Sequence, residues 1–310
     1  MKRRPWIIAG ALLLLALGVF WLGAFRGQTP DPLYQDRPLS QWLGAISVVP
    51  VTTPGRLGAW NDAHEHARKA VLYTGTNALP RLLVMLAAHE PPWQGKLRAQ
   101  LSRLPFAHWL PPSVLDQNQR GLEGMCILGP EARSAVPALL ALYAQAPPHR
   151  NLHQTIPAVL AAIGPAAVAG VPLLAHAVTN EPSAAAKLNA VIALGQIGVA
   201  TDLALTNLTV ALADPDPEVR AVAASALGQM GSLASPTLPA LCHLRDSSPP
   251  STHGPIRQSY YLDWSSSPAR TIYFGSARGD RCQVQAAEAI RKLTGEAGWT
   301  PRVPAPTSPP

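Results

Sequence analysis

Glycines recur at nearly equal spacing through the middle of this 310-residue chain. Each follows an apolar stretch, at steps of 35, 34 and 33 residues: Gly129, Gly164, Gly198 and Gly231. In three of these four units a proline stands eight positions after the glycine: Pro137, Pro172 and Pro239. A fixed period of this length is the signature of a repeat architecture.

The order of glycine and proline predicts helix, stop and helix within each unit. Glycine takes the left-handed backbone just past a helix end at little cost, and proline loses no hydrogen bond in the first turn of the next helix. The unit after Gly198 lacks the proline and has Thr206 near its place, but its apolar pattern still predicts a helix. A pair of helices this short cannot bury its apolar face alone. Copies are therefore expected to stack into an all-α solenoid.

Residues 214–231 begin Asp-Pro-Asp-Pro-Glu-Val-Arg and end on a glycine, and they resemble HEAT-like repeats of the phycobilin-lyase type. Residues 129–140 resemble the second half of the same unit. The resemblance covers roughly residues 60–245 and resumes at 282–295. It implies an α-α superhelix in which Asp216 and Arg220 have structural roles. Residues 38–43 read Pro-Leu-Ser-Gln-Trp-Leu and resemble the start of a subset of bacterial membrane-anchored HEAT-repeat proteins.

The first residues predict a membrane anchor. Residues 1–5 form a basic segment, and residues 6–25 are apolar over a length that matches a hydrocarbon core of roughly 30 Å. The excess of basic residues before this transmembrane helix predicts a cytoplasmic amino terminus. The repeat domain would then lie in the periplasm or exterior, on a single-pass inner-membrane protein. A cleaved signal peptide has the same charged start, so secretion after cleavage is the alternative.

The remaining chain divides by composition. A linker and a first helix are expected over 26–58, the repeat solenoid over 59–298, and a disordered Pro-rich tail over 299–310. Extra residues between Gly75 and Gly129 contain a candidate helix at 96–104, and residues 283–293 are expected to form a final capping helix.

An insertion at 246–281 interrupts the solenoid and is rich in aromatic residues. Two β-prone runs within it predict an irregular hairpin. Its aromatic residues are candidate partner-binding residues, because Tyr and Trp supply much of the energy of protein interfaces. These are Tyr260, Tyr261, Trp264, Tyr273 and Phe274. A flap that packs on its own solenoid is the alternative.

No catalytic residue, metal ligand or cofactor is expected. HEAT-type hydroxylases build a di-iron site from four His-Glu pairs, but only His64-Glu65 and His89-Glu90 occur here, and they are predicted to be surface residues. The cysteines are too far apart for a metal-binding motif. Cys126 is expected in the core, while Cys242 and Cys282 flank the insertion and would form a disulfide if the exported chain were oxidised.

The formal charge of +7 falls to +4 without the three basic residues of the amino-terminal segment, and no later basic cluster suits nucleic acid. The sequence therefore predicts a non-enzymatic scaffold for an unidentified protein or peptide. The alternative is a HEAT-type enzyme or cofactor-handling protein, similar to bilin lyases or metal-dependent hydroxylases. A DNA-binding HEAT-like protein is the third hypothesis.

Overall fold

The computed structural model describes residues 29–47, 57–90, 92–102, 112–147, 151–199, 201–247, 260–263, 270–273 and 281–295. Its helices are α1 (Leu39–Ser47), α2 (Leu57–Thr74), α3 (Leu79–Ala87), α4 (Pro92–Leu101), α5 (Val114–Leu128), α6 (Val136–Gln145), α7 (Leu152–Ile163), α8 (Val171–Asn180), α9 (Ala184–Ile197), α10 (Asp202–Ala211), α11 (Pro217–Met230), α12 (Leu238–Ser247) and α13 (Arg281–Thr294). Two short antiparallel hairpins join β1 (Leu33–Tyr34) to β2 (Arg37–Pro38) and β3 (Tyr260–Asp263) to β4 (Arg270–Tyr273).

Ten of the thirteen described helices form five pairs, with α1 before them, α4 between the first two pairs and α13 at the end, and the expected all-α superhelix is confirmed. The first helices of successive pairs, α2, α5, α7, α9 and α11, pack side by side and end against α13. Each second helix packs on the first helix of the following pair, as α8 does on α9 and α12 on α13. The apolar face of one pair is therefore buried by the next, and the buried side chains form one continuous core.

The closing glycines adopt the positive φ that the sequence predicts. Gly198 lies in the left-handed helical region, with φ 66° and ψ 10°. Gly129, Gly164 and Gly231 have φ 53°, 68° and 59° with ψ −126°, −140° and −143°, a region that glycine alone populates readily.

A 3-10 segment, rather than a short turn, follows three of these glycines. It spans seven residues in each case: Gly129–Ala135, Gly164–Gly170 and Gly231–Thr237. Residues three apart align along a 3-10 helix, and the small residues Ala132 and Ala135 are both buried. The predicted prolines then stand in the first turn of α6, α8 and α12. After Gly198 the chain instead enters α10 with Thr201 as its cap, whose Oγ1 accepts from the Ala204 N–H at 3.1 Å.

Small residues let the first helices approach closely. A Cβ atom added at Gly195 in α9 would lie 2.8 Å from the Cβ of Ala226 in α11. One added at Gly228 would lie 3.0 Å from the Cα of Ala289 in α13. Because real Cβ contacts are longer, larger side chains at these two positions would push the helices apart.

Two ion pairs connect successive repeats at equivalent positions. His153 and Lys187 stand 11 residues before their closing glycines, and Glu181 and Asp214 stand 17 residues before theirs. His153 Nδ1 lies 2.5 Å from Glu181 Oε1, and Lys187 Nζ lies 3.1 Å from Asp214 Oδ2. We call these the inter-repeat pairs. In each, the basic residue lies on the first helix of one repeat, and the acidic residue lies just before the first helix of the next repeat.

The pair at His153 is part of a larger network. The Tyr143 hydroxyl donates to Glu181 Oε1 at 2.5 Å, and burial raises the pKa of Tyr143 further above its ordinary value. His153 Nε2 lies 3.1 Å from the Ala146 carbonyl oxygen. A carbonyl oxygen can only accept, so Nε2 carries a hydrogen.

Asp216 and Arg220 have the structural roles that the resemblance implies. The Asp216 carboxylate accepts from the Glu218 N–H at 2.8 Å and caps α11. Arg220 Nη1 donates to the Asp214 carbonyl oxygen at 2.8 Å.

Three described runs are long and apolar enough to cross a membrane by length and composition alone: Asp62–Ala87, Val114–Gln145 and Leu152–Asn180. Each contains the two helices of one pair and the 3-10 segment between them. About half of each run is buried in the stack.

Two element boundaries differ from the expected ones. The extra helix is α4 at Pro92–Leu101, which begins before the predicted 96–104. The capping helix α13 includes the predicted 283–293 and extends beyond it at both ends. Residues 1–28 and 296–310, with the predicted anchor and the whole of the predicted tail, lie outside the described residues.

Gly164→Ala should destabilise the chain more than Gly198→Ala. A Cβ atom at either glycine would meet no atom within 3.7 Å, so the difference isolates backbone conformation. Gly198 has left-handed angles that other residues adopt at a cost of roughly 1–2 kcal/mol, whereas the ψ of Gly164 adds to that cost. Urea unfolding of the two variants measures the difference. Equal losses of unfolding free energy in the two variants would contradict the added cost of the Gly164 ψ angle.

The inter-repeat pairs should show measurable coupling. A double-mutant cycle with Lys187→Met and Asp214→Asn is expected to give about 1–3 kcal/mol, because both side chains are mostly buried. The matched control is the exposed pair Lys292–Glu288, at a similar 3.1 Å, for which about 0.5 kcal/mol or less is expected. Equal coupling in both cycles would contradict a role for burial.

Candidate binding site at the amino-terminal end

The residues before the first repeat form a cap on the solenoid. The Leu39 and Leu43 side chains of α1 are fully buried in the core. Asp31 Oδ1 accepts from the Ser40 N–H at 3.2 Å, and the Trp42 indole N–H donates to the Tyr34 carbonyl oxygen at 3.0 Å. Most of the Pro-Leu-Ser-Gln-Trp-Leu segment therefore has a structural role, in which leucines enter the core and Trp42 fixes the hairpin.

Aromatic rings and one guanidinium group meet on this cap. Trp42 contacts the Tyr34 ring edge-on at 5.8 Å between centroids and lies nearly parallel to the His66 ring at 5.9 Å. Tyr34 also contacts Tyr73 at 5.2 Å. The Arg37 guanidinium carbon lies 5.4 Å from the centre of the Trp42 ring, a cation–π arrangement. We call these five residues the aromatic cluster.

An open groove of about 420 Å³ lies between the hairpin, α1 and α2. Gln35, Arg37, Trp42 and His66 line it, with two alanines. His66 Nδ1 lies 2.7 Å from the Asp62 carbonyl oxygen, so Nδ1 carries the hydrogen and Nε2 is left for other partners. The groove thus offers aromatic surface and hydrogen-bonding groups together.

The hairpin turn that presents Arg37 is strained. Gln35 and Asp36 have φ 50° and 58°, although neither is a glycine. A two-residue hairpin needs positive φ at both positions, and non-glycine residues pay on the order of 1–2 kcal/mol each for it. The pairing of Tyr34 with Arg37 across the ladder places both side chains on the same face.

The aromatic cluster was not predicted from the sequence. The Gln-Asp turn lacks the usual Asn-Gly or Asp-Gly signal, and the strands have only two residues each. Tyr73 lies 31 positions after Trp42 in the sequence, so only tertiary packing brings the two side chains into one cluster. The Trp42 segment itself was the one available signal.

The groove residues combine an indole ring, a guanidinium group and an imidazole. Within the described ranges, no group of three or more His, Cys, Asp or Glu side chains could hold a metal ion. His66 has no nucleophilic cysteine or serine beside it among the groove residues.

The predicted partner-binding residues lie elsewhere. Tyr260 and Tyr261 are in β3 and Tyr273 is in β4, and the predicted hairpin is confirmed. Its register pairs Tyr260 with Tyr273 and Tyr261 with Ile272. Trp264 and Phe274 lie outside the described residues.

The structure places the His-Glu histidines and the three cysteines, and it corrects one prediction. His89 is exposed as predicted, but His64 is buried in α2 and its pKa is lowered by that burial, so the surface prediction was wrong. No disulfide joins Cys242 to Cys282. The Cys282 thiol instead donates to the Pro217 carbonyl oxygen at 3.2 Å, and Cys126 is in the core as expected.

Residues 171–253, from the start of α8 to beyond α12, match a family model described as HEAT repeats. The chain carries HEAT-like repeats. The matched region contains the closing glycines Gly198 and Gly231 and the pair Lys187–Asp214. No curated protein matches the chain.

Glu123 is a buried carboxyl group in the first helix of the second HEAT-like pair, where the equivalent positions hold Ala158, Ile192 and Ser225. Burial raises the pKa of Glu123 to about 7, against the opposing effects of the Gln119 hydrogen bond and the Arg120 charge. Sequence reasoning missed it, because α5 contains several polar residues and only packing shows which one is enclosed.

Glu123 should make the stability of the chain depend on pH. The unfolded carboxyl ionises near 4.5 and the folded one near 7, so stability falls as the pH rises between these values and is level above. The loss attributable to this group is about 3 kcal/mol. Urea unfolding at pH 5 and pH 8 gives the loss of unfolding free energy for the natural chain and for Glu123→Gln. The difference between the two losses is the contribution of Glu123. An equal loss in both proteins would contradict the assignment.

Proposed function

We propose that this protein is a non-enzymatic, membrane-anchored scaffold that binds a protein or peptide partner. The proposal rests on the continuous stack of HEAT-like repeats, because such repeats generally mediate protein–protein interactions. Residues 6–25 would anchor the chain in the inner membrane. The repeats, of the phycobilin-lyase type, would then face the periplasm or exterior, or be secreted after cleavage.

The distribution of charged side chains supports binding over catalysis. His153, Lys187, Glu181 and Asp214 are engaged in the inter-repeat pairs, where they hold neighbouring repeats together. Two of the three thiols, Cys126 and Cys282, are buried and so inaccessible to a bilin, and burial raises the pKa of Cys126 further above its ordinary value. Function is therefore assigned to surfaces at the ends of the stack.

The hairpin β3–β4 is the proposed element for the partner. It belongs to an insertion between α12 and α13, so it lies outside the repeat pattern. Its strands bring Tyr260 opposite Tyr273. Aromatic pairs of this kind supply large contact area at small entropic cost.

The test is affinity capture from solubilised membranes with the full chain and two variants. One variant lacks residues 247–280, and the other changes Tyr260, Tyr261, Trp264, Tyr273 and Phe274 to Ser at unchanged length. A partner captured by the natural chain is expected to be lost with both variants. Retention of every partner by both would refute the hairpin's role, and stoichiometric metal or bilin in the purified chain would refute the scaffold proposal.

A further inference from the structure

We propose that the aromatic cluster docks on the headgroup region of the membrane, so that the amino-terminal end of the solenoid lies on the bilayer. This surface is distinct from the proposed partner site. The inference rests on the proposed anchor at residues 6–25. Its test gives different results for a failure of the anchor and for a failure of docking.

The chain leaves little distance between the anchor and the cap. Only residues 26–28 separate the end of the apolar stretch from Thr29, the first described residue. Three residues span at most about 11 Å. The hairpin that carries Tyr34 and Arg37 begins four residues later, at Leu33. Tethering therefore holds this end of the solenoid beside the bilayer, whatever lies at the other end.

The side chains at this end are those that bilayer interfaces favour. Trp and Tyr are enriched at headgroup depth, where an apolar ring and a polar edge are both accommodated, and Arg reaches phosphate groups. Tyr73 is 74% exposed and Leu33 is 61% exposed. Among the described residues of the last two pairs, the exposed large apolar side chains are all aliphatic: Leu203, Val210 and Leu233.

The charges around the cluster balance. Among the described residues, the hairpin contributes Arg37 and Asp36, and the middle of α2 contributes Arg68, Lys69, Asp62 and Glu65. These are three basic and three acidic side chains. Glu65 lies 3.9 Å from both Arg68 and Lys69. Docking should therefore depend on the aromatic side chains and on Arg37, and only weakly on anionic lipid.

A peptide ligand is the competing occupant of the groove. The bilayer is favoured because the most exposed ring, Tyr73, does not line the groove, whereas a peptide seated there would contact Trp42 and His66 first. Docking through Tyr73 also sets the orientation of the stack. With first helices about 8–10 Å apart, α13 would stand about 40–50 Å from the bilayer.

The test places a fluorescent probe on the full chain in nanodiscs of zwitterionic lipid. The probe is attached at Thr76→Cys, an exposed position beside Tyr73 that leaves the ring in place, or at Leu233→Cys, each in a Cys242→Ser background, because the other two cysteines are buried. Leu233 is 60% exposed and serves as the matched control at the far end. Lipids with a quencher at headgroup depth are expected to quench the probe at position 76 at least about threefold more than the probe at 233. Adding Arg37→Glu should reduce that difference.

Each result is decisive for one of the two proposals. If the chain stays in the nanodisc and both probes are quenched equally little, the anchor holds and docking is refuted. Docking is also refuted if the probe at 76 is shielded from lipid and from aqueous iodide alike, since a protein or peptide then covers it. Release of the chain from the nanodisc by alkaline carbonate would refute the anchor. Replacing part of the lipid by an anionic one should leave the quenching at 76 unchanged, and a large rise would contradict the balance of charges.

Discussion

The structure depends on how the chain leaves the first helix of each repeat. Gly129, Gly164 and Gly231 combine positive φ with strongly negative ψ, a conformation that only glycine adopts without a large penalty. The 3-10 segment that follows is held by small buried residues, and it directs the second helix onto the next repeat and not back onto its own partner. In these three units, the contact of the second helix with the next repeat therefore depends on this change of direction.

Stacking of this kind has two further requirements. The first helices must approach closely, which Gly195 and Gly228 permit because their missing Cβ atoms would meet the neighbouring helix. Polar groups at the junctions must also be satisfied, and the inter-repeat pairs do this with acids and bases from adjacent repeats. These pairs use side chains that in another setting would be candidates for catalysis. The two surfaces proposed here for function lie at the ends of the array.

The two ends differ in what they offer. The amino-terminal cap is an ordered arrangement in which a strained turn, an indole hydrogen bond and ring contacts hold Arg37 over Trp42. The carboxyl-terminal end contains a tyrosine-bearing hairpin inserted before the last helix. In the proposed arrangement, the solenoid is a spacer that fixes one end on the bilayer and presents the other to a partner. The regular repeats between them set the distance.

The repeat period, the closing glycines, the prolines of the second helices and the hairpin β3–β4 could all be predicted from the sequence. They depend on backbone preferences of single residues and on the periodicity of apolar side chains, which are local properties. The burial of His64 and Glu123, the pairs His153–Glu181 and Lys187–Asp214 and the aromatic cluster were decided by the tertiary structure. Each depends on which side chains the superhelix brings together from positions about 30 residues apart, and on how completely neighbouring helices exclude water from them. Local sequence does not indicate how far water is excluded, because the exclusion depends on the path of the whole solenoid.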